Sequence, residues 1–162
     1  MNIIICGAGR VGFSISKQLS AQGHAITVID QSSEYIKKIN DTQDVKGVVG
    51  RATFPSVLEK AGAEEADMII AVTQNDETNM VICQVAYSIF KINKKIARIR
   101  SQEFLGGKWG KLYGESNRHV FLIQLRQNQN AFLDLIKIKS WYLKMKPNLP
   151  GWLEFVLILI KL

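Results

Sequence analysis

Gly7, Gly9 and Gly12 stand in the spacing G-x-G-x-x-G, directly after the apolar run Ile3-Ile4-Ile5-Cys6 and before apolar positions Val11, Ile15 and Leu19 that recur at helical spacing. Strand, tight turn and helix in that order make a phosphate-binding device. The first glycine permits the sharp turn, the second lets a pyrophosphate approach the main chain, and the third lets the helix pack on its strand. The free N–H groups of the helix's first turn and the positive end of its dipole then face the phosphates. A second apolar stretch, Ala25-Ile26-Thr27-Val28-Ile29, ends in Asp30, at the spacing where a carboxylate accepts hydrogen bonds from the adenosine ribose. The competing reading is a glycine turn that serves packing alone.

Asp30 also bears on which dinucleotide binds. An unphosphorylated ribose offers hydroxyl donors to it, whereas a 2′-phosphate brings a dianion against it. At about 4 Å each pair of unit charges costs roughly 1 kcal/mol in water and about 4 kcal/mol at an effective dielectric near 20. Arg51, Lys37 and Lys38 are the basic residues near in sequence, and none follows Asp30 directly, where Gln31 and Ser32 stand. The expected ligand is therefore NAD or NADH rather than NADP. ATP or ADP, which share the adenosine and phosphates, are expected competitors at the same site.

These residues need elements to hold them. Gly23 is placed for a left-handed helix cap, and Ser32 and Ser33 precede a short helix through Ile36 and Ile39. Val45 to Val49 reads as a third strand, Phe54-Pro55-Ser56 as the start of a helix closed by Gly62, and the apolar Ala66 to Val72 as a fourth strand buried on both faces. The polar stretch Thr73 to Asn79 caps a helix with Val81, Ile82, Val85, Ala86 and Ile89 at helical spacing, and Ile96 to Arg100 is a fifth strand. Strands alternate with helices without a hairpin signal between them. This predicts parallel pairing through right-handed crossovers and a doubly wound α/β sheet in the order 3-2-1-4-5. The ligand crevice then lies outside the carboxyl ends of strands 1 and 4, with Gly7 to Gly12, Asp30, Thr73 to Asp76 and Arg98 around it. Arg98 and Arg100, two apart on a strand, share a face, and one of them is a candidate for a phosphate.

Composition narrows the class further. The chain has 162 residues, 47% of them hydrophobic, enough for a domain with a sizeable core. Its net charge is +7, but up to Gln102 there are 12 basic and 10 acidic side chains, against 9 and 4 from Glu103 onward. The organised part is nearly balanced, and Lys37-Lys38 and Lys94-Lys95 read as solvated pairs, which points away from nucleic acid. Cys6 and Cys83 match neither a metal site nor a disulfide framework, so buried thiols and a cytoplasmic location are expected, with no secretory signal at the start. The apolar tract Trp152 to Ile160 is too short to span a bilayer. His24 reads as an exposed turn residue and His119 as a solvated one.

An enzyme is the alternative, since a small NAD-dependent oxidoreductase shares this fold. Tyr87-Ser88-Ile89-Phe90-Lys91 matches the Tyr-x-x-x-Lys pair of short-chain reductases, but that pair falls at the end of the helix after the fourth strand, and the glycine spacing differs. No acid or base for a substrate domain is apparent beyond His119. Catalytic residues are expected to be absent.

Several separated blocks carry a resemblance: Ile-Cys-Gly-Ala-Gly-Arg-Val-Gly at residues 5 to 12, Val-Ile-Asp at 28 to 30, Ala-Gly-Ala-Glu-Glu-Ala-Asp at 61 to 67, Ala-Val-Thr-Gln-Asn-Asp-Glu-Thr-Asn-Met at 71 to 80, and Ala-Arg-Ile-Arg at 97 to 100. The chain over about residues 1 to 105 resembles the N-terminal KTN or RCK domain of the TrkA family, regulatory subunits of the bacterial Trk potassium-uptake system. The resemblance implies a cytoplasmic regulatory protein, peripheral at the inner face of the membrane, that assembles as a homo-oligomer beneath a potassium-translocating subunit. It implies a nucleotide site of Gly7, Ala8, Gly9, Arg10, Val11, Asp30, Thr73, Gln74 and Arg98. Met80, Cys83, Val85, Tyr87 and Phe90 supply more apolar surface than one sheet face needs, which suits pairing of subunits. From Arg118 the strand and helix alternation fades, so the expected division is a Rossmann-like domain at 1–117 and an irregular, divergent tail at 118–162 that does not form the family's second domain. Truncation after about Gly114 is expected to preserve nucleotide binding.

Overall fold

The computed structural model of the chain describes residues 1–105 and 120–123. The apolar run that opens the sequence forms β1 (Asn2–Cys6), and the glycine turn delivers the chain into α1 (Arg10–Ala21). Ile15 and Leu19 face the sheet, fully buried, and Gly23 ends the helix at φ +79°, a conformation a side chain would penalise. β2 (Ala25–Asp30) is followed by α2 (Ser33–Thr42), whose Ser32 cap accepts a hydrogen bond from the Tyr35 amide. β3 (Lys46–Val49), α3 (Pro55–Lys60) and a single 3₁₀ turn at Ala63–Glu65 lead to β4 (Met68–Ala71), every residue of which is buried. α4 (Asp76–Ser88) starts on Asn75, whose side chain accepts from the Thr78 amide. β5 (Lys94–Arg98), the short α5 (Gln102–Leu105) and β6 (Val120–Ile123) complete the described elements.

All pairings are parallel and the sheet runs β3-β2-β1-β4-β5-β6. The five strands expected from the sequence lie in the expected order 3-2-1-4-5. A sixth, Val120–Ile123, pairs with Lys95 to Arg98, beyond residue 117 where the sequence reading divides the chain. The rest of that tail, with Arg118, His119 and Trp152 to Ile160, lies outside the described residues. The central strands are buried on both faces because helices cover both sides of the sheet. Ile4, Ile69, Ile82, Ile92 and Ile99 share one cluster with Leu58 and Ala86, and each large aliphatic side chain so buried contributes about 1.5–3 kcal/mol.

Several expectations are corrected. The fifth strand begins at Lys94 rather than Ile96 and ends at Arg98, leaving Arg100 outside it. Lys95 is not solvated: only 1% of it is exposed, its Nζ donates to the carbonyls of Ile92 (3.3 Å) and Asn93 (3.2 Å), and it sits 4.3 Å from the centroid of the Tyr87 ring. A long aliphatic stem entering a sheet between helices can be buried when its ammonium finds carbonyls and an aromatic face. On α4 the buried stripe is Asp76, Asn79, Ile82, Cys83 and Ala86, while Val81 and, just beyond the helix, Ile89 are exposed. His24 is partly buried rather than exposed, and burial and then the nearby N-terminus hold its imidazole below the usual value. Cys6 and Cys83 are the expected buried thiols.

Candidate nucleotide site

At the carboxyl ends of β1, β2, β3 and β4 a cleft of about 290 Å³ opens, and its position follows from the topology. α1 and α4 leave the sheet on opposite sides where the strand order reverses, so nothing fills the space between them. Gly7 and Gly9 line it from the glycine turn, Asp30 and Gln31 from the end of β2, Gly50, Arg51 and Thr53 from the end of β3, and Thr73, Gln74 and Asn75 from the end of β4.

Gly7 and Gly12 do the turning and packing work that their spacing predicts. Gly7 has φ +111°, and a Cβ there would meet the backbone of Val72 and Thr73 at 3.0 Å. A Cβ on Gly12 would collide with the Gly7 carbonyl, so this glycine sets the close approach of α1 to β1. A Cβ on Gly9, by contrast, would meet nothing within 4 Å beyond its own chain neighbours: the space beside it is open, and Gly9 is part of the cleft's lining. Gly9 is the N-cap of α1 with ordinary extended backbone at φ −65°. The amides of Arg10, Val11 and Gly12, the first turn of the helix, have no helical acceptor and carry the positive end of its dipole. Open space against free donors is what a pyrophosphate requires, so the residues present fit a dinucleotide.

Asp30, the candidate ribose acceptor, has a structural duty. Its Oδ2 accepts from the Ala8 amide at 2.6 Å and its Oδ1 from the Ser32 amide at 2.8 Å, tying the glycine turn to the start of α2. A carboxylate has about four lone-pair sites, so each oxygen keeps capacity for a ribose hydroxyl. Arg51 lines the same cleft, its guanidinium 5.2 Å from the Phe54 ring. It arrives there because β3 pairs with β2 up to Asp30 and Val49 and the Gly50 amide donates to the Asp30 carbonyl, which carries the next residue alongside. Strand pairing, not sequence distance, makes that contact, and the sequence reading did not number Arg51 among the site residues. Tyr35 and Thr53 were likewise not expected there, whereas Asn75 falls within the expected stretch Thr73 to Asp76.

The remaining expected residues are more dispersed. Ala8 and Arg10 line a neighbouring pocket with Phe13, Ser14 and Lys38, reached past Gly9 and Tyr35. Val11 and Arg98 do not line the main cleft. Arg98 ends β5, and its Nε is buried without a hydrogen-bond partner. Burial lowers its proton affinity, as do the charges of Arg100 and Arg10, while Asp76 acts in the other direction. A guanidinium with a free buried donor beside two others is an acceptor-seeking group, suited to an anion. Arg100 is engaged elsewhere: its Nε lies 3.5 Å from Asp76. Burial would raise the Asp76 carboxyl, but hydrogen bonds from the Ser101 and Arg100 amides and the Arg100 guanidinium outweigh it and hold the group below its ordinary value. The Tyr87 and Lys91 pair is at the other end of α4, away from the cleft, with Lys91 bonded to the Ser88 carbonyl at 2.8 Å.

A parallel sheet wound on both faces, with a glycine turn at its switch point, defines a Rossmann-like domain. Residues 3–109 match the model of the TrkA-N domain, and the chain belongs to that family. The Trk system potassium uptake protein TrkA of Azorhizobium caulinodans is 42% identical over 123 residues, 76% of this chain and 27% of that protein. The protein of the same name from Vibrio alginolyticus is 44% identical over 108 residues, 67% of this chain and 24% of that one. The chain thus spans about a quarter of the length of these relatives. Among solved structures, the Kef C-terminal domain of Shewanella denitrificans in its AMP-bound form superposes with a TM-score of 0.64 at 21% identity, covering 87% of this chain and 82% of that one. The GsuK channel bound to NAD does so with a TM-score of 0.60 at 20% identity, over 74% of this chain and 21% of the channel. Both likenesses establish the fold. Among the described residues no helix is long and apolar enough to cross a membrane.

Proposed function

We propose that the chain is the NAD(H)-binding part of a regulatory subunit of a potassium-uptake system, without chemistry of its own. The observation that carries this reading is the open space beside Gly9, bounded by the first turn of α1 and sharing a cleft with Asp30. The relatives named for Trk potassium uptake and the AMP-bound and NAD-bound structures of the same fold support it. The glycine turn and the amides of Arg10 and Val11 would hold the pyrophosphate, Asp30 the ribose, Thr73 and Gln74 the far wall, and Arg98 a phosphate or another anionic group. Regulation then follows from differential binding: a ligand shifts the equilibrium between two conformations only as far as its affinities for them differ.

The partner in this reading is a potassium-translocating membrane subunit, met at the cytoplasmic face of the membrane, and the chain works as a homo-oligomer. Of the residues expected to form a pairing face only Tyr87 is exposed, because Cys83 lies in the core and Met80, Val85 and Phe90 pack against it. The exposed Val81, Tyr87 and Ile89 on and beside α4 are the apolar residues available for pairing there, and light scattering at tens of micromolar tests for the dimer. The division at residue 117 and the absence of a second family domain in 118–162 belong to the same proposal.

Calorimetric titration with NADH and NADPH tests the site. The wild type should prefer NADH, and Asp30→Ala should weaken NADH binding about tenfold, or 1.4 kcal/mol, and shrink the preference. Arg51 is the cation, among the described residues, that lines the cleft with Asp30, so Arg51→Ala should sharpen discrimination against NADPH. Equal affinities in the wild type would defeat the NAD assignment. Steady oxidation of NADH by the purified chain with a small carbonyl compound would replace the regulatory reading with a reductase.

A further inference from the structure

β4 and β5 are paired as far as Ala71 and Ala97, and beyond that pair the sheet ladder between them ends. Just past that pair lie two residues that matter to the site: Thr73, two positions beyond Ala71, which lines the cleft, and Arg98, directly after Ala97, with its unpartnered Nε. A single side chain joins them. Asn79, fully buried in the first turns of α4, accepts on Oδ1 from the Thr73 amide at 2.9 Å and the Thr73 hydroxyl at 2.7 Å. Its Nδ2 donates to the Arg98 carbonyl at 2.8 Å and, at 3.4 Å, to the Thr73 carbonyl. A primary amide offers an acceptor and donors in one plane, as a peptide group does, so it can replace a missing rung of the ladder. Three residues earlier on the same helix, Asp76 Oδ2 accepts from the amides of Arg100 and Ser101, each at 2.7 Å.

We propose that Asn79 is the positioning residue of the nucleotide site: it fixes Thr73 against the end of β5 where the strands part, and Asp76 extends the lock to Arg100 and Ser101. A nucleotide that engages Thr73 therefore tightens the chain where it leaves β5, the segment through which the domain continues. This inference rests on the nucleotide reading above. The chemistry of the position is restrictive. Leucine would leave the Thr73 amide and the Arg98 carbonyl buried without partners, and aspartate would keep the acceptor but lose the donor.

Hydrogen exchange of the full chain with and without saturating NADH tests it, with binding followed separately by calorimetry. In the wild type NADH should slow exchange at Arg100 and Ser101 several-fold. Asn79→Asp, which retains the bonds from Thr73 and loses the one to Arg98, should bind NADH yet lose most of that slowing. Asp76→Ala, which removes the acceptor of both amides and lies outside the lining of the cleft, should do the same and keeps the test available if Asn79→Asp does not fold. Undiminished slowing in the variants, NADH binding to the wild type without slowing at 100–101, or a loss of protection spread evenly over β1 and β4 would each overturn the positioning role while leaving the nucleotide site standing. Failure of the wild-type chain to bind either NADH or ADP would overturn both.

Discussion

Gly9 and Gly12 are the same residue type three positions apart, and they separate binding from folding. Because a Cβ on Gly12 meets the Gly7 carbonyl, Gly12→Ala should destabilise the domain by about 1–3 kcal/mol, read as a lower urea midpoint. Gly9→Ala meets only open space at an allowed φ, so its stability should stay within about 0.5 kcal/mol of wild type. Its NADH affinity should nonetheless fall tenfold or more, because the methyl group takes the place of the phosphate. The thiols make a second contrast at this scale. Burial pushes Cys6 well above its usual value and Cys83 to about 12. Neither should react with a thiol reagent at pH 8 in the native protein, and both should be labelled at the rate of unfolding.

At the scale of elements, the junction between α4 and the end of β5 depends on one carboxylate. Asp76 takes two backbone N–H groups in a nearly buried position, and Asp76→Ala should cost about 3 kcal/mol at pH 7. The sign of its pH dependence follows from its lowered folded value. Its contribution is fully present above the ordinary carboxylate range near 4 and is lost as pH falls through the lower folded value. Denaturation midpoints from pH 7 to 2.5 should fall less steeply below pH 4 in Asp76→Asn than in the wild type. The same junction explains how α4 differs from its sequence pattern. Apolar spacing gave Val81 and Ile89 to the core, but the polar anchors Asp76 and Asn79 rotate the helix so that their own stripe, with Ile82, Cys83 and Ala86, faces the sheet.

At the scale of the molecule, β6 sets where the chain can be cut. Val120–Ile123 covers the edge of β5, so truncation after Ile123 should leave the NADH dissociation constant within twofold of the full chain. Truncation after Gly114 removes that strand and bares the hydrogen-bonding edge of β5. It should lower the melting temperature and promote self-association, measured by light scattering, even where nucleotide still binds. The sequence by itself determined the architecture and which residues of the glycine turn, Asp30 and the end of β4 meet in one cleft, because glycine spacing, strand-ending Asp30 and buried apolar runs are local signals that any parallel winding must respect. Only the tertiary structure decided what reaches those groups from elsewhere. Arg51 enters the cleft through the pairing of β3 with β2, Lys95 is buried because Tyr87 and two carbonyls receive its ammonium, and Asn79 bridges two strands that have just parted. The Arg51 and Asn79 placements depend on strands distant in the chain, and that of Lys95 on how its own turn folds back beneath Tyr87, so periodicity along one segment carries no trace of any of them.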